Sequence, residues 1–177
     1  MKKKLCTALA MLTLLCVLSA CSGSAGKESS APLNVTDYTM TLPEGFSVSA
    51  DNDQLFLAPD YPLDGSNINV VPSEHDALFS TYSREVLEAA LEQQYADALG
   101  EQLDVVSESF ERTTIDGVPA ILYCCSSELY GVQLHQELVL VNADNQGYCF
   151  TFTQAGDADW TQAYQSCIAS IKFTFES

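Results

Sequence analysis

The chain has 177 residues, of which 24 are acidic and seven are basic, and its net charge at pH 7 is −17. This excess of carboxylates repels phosphate backbones and anionic lipid headgroups, which excludes nucleic acid as a partner. Because the acidic residues are scattered from Glu28 to Glu176 instead of clustered, we interpret them mainly as a solubilising surface.

The N-terminus has the layout of a bacterial export signal. Lysines at positions 2–4 precede an apolar run over residues 5–18, which is too short to span a bilayer as a helix. The run closes in Leu18-Ser19-Ala20-Cys21, which resembles the lipobox of bacterial lipoproteins. In that family the cysteine receives a diacylglyceryl group, so the resemblance implies a lipoprotein signal peptide over residues 1–20 and lipidation of Cys21. The alternative is ordinary secretory cleavage after Ala20.

A Gly/Ser-type segment follows the lipobox. Residues 21–32 contain almost no apolar surface, which predicts a flexible tether that reaches about 20 Å on average. Two acyl chains anchor a protein stably where one chain does not, so we expect a lipid-anchored protein on the extracytoplasmic face of the cell membrane. Without residues 1–20 the chain keeps four basic residues against 24 acidic ones, a net charge of −20. The remaining length is typical of one domain, predicted over residues 33–175.

Short strands are predicted in the first part of this domain. Alternation of apolar and polar residues predicts strands over residues 38–42 and 46–49, which we expect to pair with each other across Pro43-Glu44-Gly45. Two further strands are predicted over residues 54–58 and 67–71. Four short strands therefore precede any helix.

A helix, a meander and a second helix are predicted next. Helical spacing of apolar residues runs from Ser83, a suitable N-cap, to Leu99, and Gly100 is suited to end the helix. The sequence Asp116-Gly117 then predicts a tight hairpin. The remaining elements are predicted strands over 105–115, 118–126, 133–141 and 148–153 and a helix that begins near Asp159, with Gln162 completing a capping box. This order indicates an α+β fold with a mainly antiparallel sheet packed by two helices.

The same elements carry a family resemblance. A Leu-Pro-x-Gly-Phe-Ser segment at residues 42–47, the central helix, the four-stranded meander and a final Trp160/Tyr164/Ile168 helix resemble the family of the photosystem II protein PsbP and the nuclear-transport factor Mog1. The resemblance extends over residues 36–175. It implies a non-enzymatic binding or assembly role, and many bacterial members of that family are lipoproteins.

Four cysteines fall within the predicted domain: Cys124, Cys125, Cys149 and Cys167. The adjacent pair must point to opposite faces of its strand. A disulfide between Cys149 and Cys167 is plausible because the second helix follows that strand and folds back over the sheet, and it would contribute about 3 kcal/mol. The alternative is four buried thiols. A redox enzyme is not expected, since no Cys-x-x-Cys motif is present.

No residue pattern points to catalysis or to a cofactor. His75 and His135 each lack a second histidine at metal-binding spacing, and Glu74-His75-Asp76 is better interpreted as a solvated turn than as an ion site. Nucleophile elbows and glycine-rich phosphate loops are also absent from the sequence. We therefore predict no catalytic residue, no metal site and no cofactor.

The functional prediction follows from the lipoprotein-like N-terminus and from the absence of catalytic motifs in the sequence. We expect a membrane-anchored, non-catalytic binding or assembly lipoprotein that contacts membrane lipid through its diacylglyceryl anchor and an envelope protein through its domain. The acidic balance leaves one alternative open, a solute- or divalent-cation-binding lipoprotein associated with a transporter.

Overall fold

A computed structural model describes residues 34–100 and 102–176, and the predicted signal peptide and tether lie outside them. The described residues form nine strands and two helices. Their bounds are β1 Val35–Thr39, β2 Ser47–Val48, β3 Leu55–Leu57, β4 Asn67–Glu74, α1 Arg84–Leu99, β5 Val106–Ile115, β6 Val118–Leu129, β7 Val132–Asn142, β8 Gln146–Ala155, α2 Thr161–Ala169 and β9 Lys172–Phe175. A single 3₁₀ turn, Phe79–Thr81, precedes α1.

Seven of the strands form one antiparallel sheet in the order β2-β3-β4-β8-β7-β6-β5. Strands β5 to β8 are the predicted meander, and β4 joins it beside β8 instead of beside β5. The remaining strands, β1 and β9, form a separate antiparallel ribbon. The predicted α+β class, with a mainly antiparallel sheet and two helices, is confirmed.

The N-terminal strand pair was predicted wrongly. β1 does not pair with the segment around Phe46 but with β9, at the other end of the domain. The reason is the burial of Val35, whose backbone N–H and C=O are bound by the side chains of Asn145 and Gln146 at the β7–β8 turn. Strand β9 itself was not predicted, because its four residues follow α2 without a turn signal.

Side-chain alternation divides the core between the two faces of the sheet. One face, called the α2 face, is covered by α2 and the β1–β9 ribbon and carries Ile68, Val139, Phe150 and Phe152. The opposite face, called the α1 face, packs against α1 with a second cluster that includes Ile121, Tyr123, Leu138, Leu87 and Tyr95. Neighbouring residues of a strand therefore belong to different cores.

The Leu-Pro-x-Gly-Phe segment anchors the α2 face. Phe46 is buried with its ring centroid 4.9 Å from that of Trp160, in an edge-to-face arrangement that adds to the burial of both rings. Gly45 has a φ of 82°, and a Cβ at this position would lie 2.9 Å from Pro59 Cγ. A glycine is therefore required where the chain turns to place Phe46.

Helix α1 has the predicted ends. Ser83 Oγ accepts a hydrogen bond from Val86 N, and Gly100 has a φ of 70° and donates its N–H to Ala96 O. The predicted apolar stripe is only partly buried, because Val86 is 45% exposed and only Leu87 and Tyr95 of this helix are buried. Helix α1 therefore rests on the sheet through few side chains.

Helix α2 begins at Thr161, close to the predicted start, but the capping box does not form. Asp159 Oδ1 accepts from Thr161 N at 3.2 Å instead of from Gln162, and Trp160 occupies the N-cap position. Neither helix of the described residues has the length and apolar character that a membrane span requires.

Candidate functional site

The predicted cysteine sites are not brought together by the fold. Cys21 lies outside the described residues. Within them, Cys124, Cys125, Cys149 and Cys167 are thiols, so the predicted Cys149–Cys167 disulfide is not formed. Cys149 lies in the core of the α1 face and Cys167 in the core of the α2 face.

The prediction failed because of strand parity. Tyr148, Phe150 and Phe152 all point to the α2 face, so Cys149, between the first two, must point to the other one. A disulfide requires Cβ atoms within about 4.5 Å of each other, and the thickness of a sheet separates these two. The alternation of side chains along β8 already indicates that Cys149 faces away from Tyr148 and Phe150, and so away from α2.

Burial raises the pKa of three of these thiols, Cys124, Cys125 and Cys167. It raises the pKa of Cys125 to about 12 and that of Cys167 to about 11. Burial also raises the pKa of Cys124, and the nearby carboxylates of Glu137 and Glu108 add to this effect. Since the thiolate is the reactive form, these three residues are poor nucleophiles.

The Glu74-His75-Asp76 segment is structural. His75 Nδ1 lies 2.7 Å from the Ala143 carbonyl oxygen, and Asn142 Oδ1 accepts from Asp76 N at 2.8 Å. The two carboxylate oxygens of Asp76 accept hydrogen bonds from Leu78 N and from the Tyr82 hydroxyl. Across residues 34–100 and 102–176, no three His, Cys, Asp or Glu side chains are grouped to hold a metal ion.

His135 lies on an exposed part of the sheet. Its Nδ1 is 3.4 Å from Glu108 Oε1, and both side chains are about half exposed. Such a surface pair contributes little to stability.

A row of neutral polar side chains crosses the α1 face. Five residues on five adjacent strands pair in register: Asn67 with Thr153, Thr153 with Gln136, Gln136 with Cys125, and Cys125 with Ser107. Residues that pair across strands share a face, so these side chains form one continuous row. Asn67 and Thr153 are each only 2% exposed, although both are polar.

Tyr95 links helix α1 to this polar row. Its hydroxyl donates to Gln136 Oε1 at 2.5 Å, and Gln136 Nε2 donates to Thr153 Oγ1 at 3.3 Å. Burial raises the pKa of Tyr95 well above its usual value, and Ser127 and Gln136 offset only part of this effect. The phenol therefore stays a neutral donor throughout the physiological pH range.

Part of the hydrogen-bonding capacity at the polar row is unused. In the described part of the chain, four buried side-chain oxygens make no hydrogen bond: Asn67 Oδ1, Ser107 Oγ, Tyr123 Oη and Ser127 Oγ. Asn67 and Ser107 belong to the row, and Tyr123 and Ser127 flank Cys125 along β6. Burial raises the pKa of Tyr123, and the nearby Ser107 hydroxyl opposes this rise, but the pair does not reach hydrogen-bond geometry.

These four oxygens lower the stability of the fold if no water molecule bonds to them. A buried polar atom without a partner destabilises a fold by about 1–3 kcal/mol, and native proteins contain few of them. All four lie on the α1 face and none on the α2 face. We therefore take the polar row and its flanking residues as the candidate functional site.

Sequence reasoning missed this site because it treated polar strand residues as exposed. The available signal was the spacing Asn67-x-Asn69 in β4 and Thr151-x-Thr153 in β8, with apolar residues between them. Alternation of this kind usually indicates a solvated face. Only the folded structure shows that the polar positions are covered, because Asn67, Asn69 and Thr153 are buried there.

Known structures share this architecture. The cyanobacterial PsbP protein CyanoP of Synechocystis sp. PCC 6803 superposes with a TM-score of 0.58 at 14% identity, over 86% of this chain and 98% of that one. The fold is PsbP-like. This agrees with the resemblance seen in the sequence.

Two more distant neighbours are LpqN of Mycobacterium tuberculosis and a Bacteroides thetaiotaomicron protein. LpqN, described as involved in cell envelope biogenesis, gives a TM-score of 0.49 at 13% identity over 81% of this chain and 90% of that one. The Bacteroides protein gives 0.48 at 14% identity over 78% and 46% of the two chains. No family model and no curated protein matches the chain.

Proposed function

We propose that this protein is a membrane-anchored, non-catalytic accessory lipoprotein whose PsbP-like domain binds or assembles an envelope protein. The observation that carries the proposal is the combination, in one chain, of a lipobox ending at Cys21 with a PsbP-like domain described from residue 34 onward. A fold alone does not assign a function, so the sequence of the N-terminus is needed for this proposal.

The raised pKa values of the cysteine thiols in the domain also support a non-catalytic role. Burial raises the pKa of Cys124, Cys125 and Cys167. The carboxylate of Asp76 is occupied by hydrogen bonds inside its own loop. His75 and Asp76 thus hold the loop together, and the cation-binding alternative rests on the acidic balance of the chain.

The position of the ends of the described domain indicates how the domain would be oriented on the membrane. Glu176 N donates to Asn34 O at 2.9 Å, and Val35 is bound at the β7–β8 turn, so both ends of the described domain meet at one corner. A tether would enter at this corner. Strand β7 has 11 residues and extends about 35 Å, so the β6–β7 turn would point away from the bilayer.

Substitution of the proposed lipidation site provides the test. In cells expressing the full chain, Cys21→Ala should abolish incorporation of labelled palmitate and move the protein from the membrane fraction into the medium or the soluble fraction. Two acyl chains hold a protein at a membrane and their loss releases it. Protein–protein adducts captured by crosslinking intact cells should decrease in the same variant.

The matched control is Cys16→Ala, a cysteine of the apolar run outside the lipobox. This variant should keep both the palmitate label and the membrane location. Retention of label and membrane location in Cys21→Ala would contradict the proposal.

A further inference from the structure

We propose that the end of the domain opposite the chain ends is a docking surface for an envelope protein that presents an apolar pocket bordered by lysine and arginine. This surface, called the distal end, consists of the β3–β4 loop over residues 58–66, the β6–β7 turn at Tyr130 and Gly131, and the β8–α2 connection over residues 156–160. The inference rests on the binding role proposed above, and it adds the location of the contact and the chemistry of the partner.

Hydrogen bonds join the three connections of the distal end. Gly156 N donates to Gln133 O at 2.8 Å, beside the β6–β7 turn. Trp160 Nε1 donates to Asp64 Oδ2 at 2.9 Å, which ties the β8–α2 connection to the β3–β4 loop. From β3 to β6 the sheet has four strand intervals, about 20 Å in total. One protein interface of standard size can therefore cover all three connections.

Leu63 is an apolar side chain on an ordered loop. It is 90% exposed, although its backbone N–H donates to Asp60 O at 2.7 Å and the N–H of Asp64 donates to the same oxygen at 3.2 Å. The hydrogen-bonded loop thus holds the leucine in solvent. A side chain that is already held in one place loses less conformational entropy when a partner covers it.

Tyr130 is the second apolar group of the distal end. Its φ of 53° is unusual for a bulky residue, and 56% of the residue is exposed, so the fold gains little from the ring. Strained residues of this kind cluster at functional sites, and tyrosine is among the residues most often found in binding hot spots. A tyrosine that destabilises its own turn and remains in solvent is explained by a contact outside the domain.

The charge of the distal end selects the chemistry of the partner. The segments 58–66, 128–133 and 156–160 contain no lysine, arginine or histidine. They contain five carboxylates: Asp60, Asp64, Glu128, Asp157 and Asp159. Like charge repels a second copy of this chain and anionic lipid, whereas a basic border around an apolar pocket is attracted.

The three basic residues of the described domain lie at the other end. In the meander, the β5–β6 and β7–β8 turns share one end of the sheet and the β6–β7 turn lies at the opposite one. Lys172 Nζ donates to Asp116 Oδ1 in the β5–β6 turn, and Arg112 donates to Tyr82 O in the β4–α1 connection. Arg84 begins α1 two residues later. A basic partner therefore meets no repelling cation only at the distal end.

The test uses photo-crosslinking of the full chain in intact cells. p-Benzoylphenylalanine replaces either Gln133, which is exposed beside the β6–β7 turn, or Ala77, which is exposed in the β4–α1 connection at the other end. Irradiation should give a discrete protein adduct from position 133 and none from position 77. Mass spectrometry of the crosslinked peptides should place the contact beside lysine or arginine residues of an envelope protein.

Variants of the two exposed side chains test their part in binding. At low expression, where the adduct yield follows affinity, Leu63→Ser and Tyr130→Asn should each lower the yield from position 133 about tenfold. Tyr130→Phe keeps the ring and should retain most of the yield. Leu78→Ser removes an exposed leucine at the other end and is the matched control, with no change expected. An unchanged or higher Tm in Leu63→Ser and Tyr130→Asn separates a lost contact from a damaged fold.

The contribution of charge is measured on membranes isolated from the same cells. Raising the salt concentration from about 0.1 M to about 1 M shortens the Debye length from about 10 Å to about 3 Å. The adduct yield from position 133 should then fall several-fold, because the carboxylates of the distal end no longer attract the basic border of the partner.

Several results would overturn the distal end as a docking surface. Adducts from position 77 but not from position 133 would do so and leave the proposed accessory role in place. Adducts between two copies of the chain, or with lipid, would assign a different occupant. A yield that is insensitive to Leu63→Ser and Tyr130→Asn, or to salt, would remove the basis of the proposal. The absence of adducts from both positions would overturn it together with the binding role, whereas the palmitate test of Cys21 is independent of all these outcomes.

Discussion

Asp116 shows how one residue serves two parts of the fold. It occupies the β5–β6 turn with a φ of 49°, a conformation that aspartate tolerates better than most residues. Its carboxylate accepts hydrogen bonds from the backbone N–H of Phe173 and from Lys172 Nζ, each at 2.9 Å. The hairpin tip is thereby fastened to β9.

These contacts predict a dependence of stability on pH. The Phe173 N–H, and secondly Lys172, hold the pKa of Asp116 below its ordinary value of 3.8. Because the pKa is lower in the folded state, the carboxylate stabilises the fold above pH 3.8, and this contribution is lost as the pH falls through the folded pKa. Asp116→Asn should therefore lower the free energy of unfolding at pH 7, with a difference that disappears in acid.

Urea denaturation of the parent and Asp116→Asn at pH 7 and in acid measures this difference. The exposed Asp157→Asn makes the same change of charge and should leave the free energy of unfolding unaltered at both pH values. An Asp116→Asn difference that stays constant with pH would assign the effect to the turn backbone instead of the carboxylate.

At the scale of the element, the β6–β7 hairpin contains a strained turn. Tyr130 and Gly131 have φ values of 53° and 79°, the left-handed pair that a two-residue hairpin requires. Glycine and asparagine adopt this conformation readily, but in tyrosine the Cβ crowds the neighbouring carbonyl oxygen and destabilises the turn. The ring gains little in return, because Tyr130 is 56% exposed.

Relief of this strain should stabilise the protein. Tyr130→Asn is expected to raise the free energy of unfolding by about 1 kcal/mol, since asparagine accepts positive φ at lower cost. Chemical denaturation checks the value, and Tyr130→Phe, which keeps the strained backbone, should leave stability nearly unchanged. A loss of stability in Tyr130→Asn would show that the tyrosine ring contributes more through packing than its backbone costs.

For the whole molecule, the two-sided sheet decides the chemistry of the cysteines. Cys149 and Cys167 belong to different cores, and Cys125 is buried on the α1 face, whereas Cys124 is partly exposed. Among these four cysteines of the described domain, we expect a thiol-alkylating reagent to modify Cys124 first in the native protein. Cys125, Cys149 and Cys167 should react only after unfolding.

Mass spectrometry of proteolytic peptides identifies the modified thiols. The same reaction in denaturant, where all four should be labelled, is the control for reactivity. A peptide pair crosslinked through Cys149 and Cys167 would contradict the arrangement of the two faces.

Predictions from the sequence succeeded where contacts are local. The caps of α1 at Ser83 and Gly100 and the Asp116-Gly117 turn depend on residues within a few positions of each other. The pairing of β1 with β9 was not predicted, because Val35 and Phe175 are far apart in the chain. The candidate site was missed for a similar reason, since its row takes one residue from each of five strands.

Composition, hydrophobic period and turn residues act over short stretches, so the acidic balance, helix α1, the meander and the α+β class could all be predicted from the sequence. The face that each strand residue occupies is known only once the chain has folded, and with it the separation of Cys149 from Cys167 and the burial of Asn67. This is because a face becomes interior only when a distant element covers it. For this chain those elements are α1, α2 and the β1–β9 ribbon.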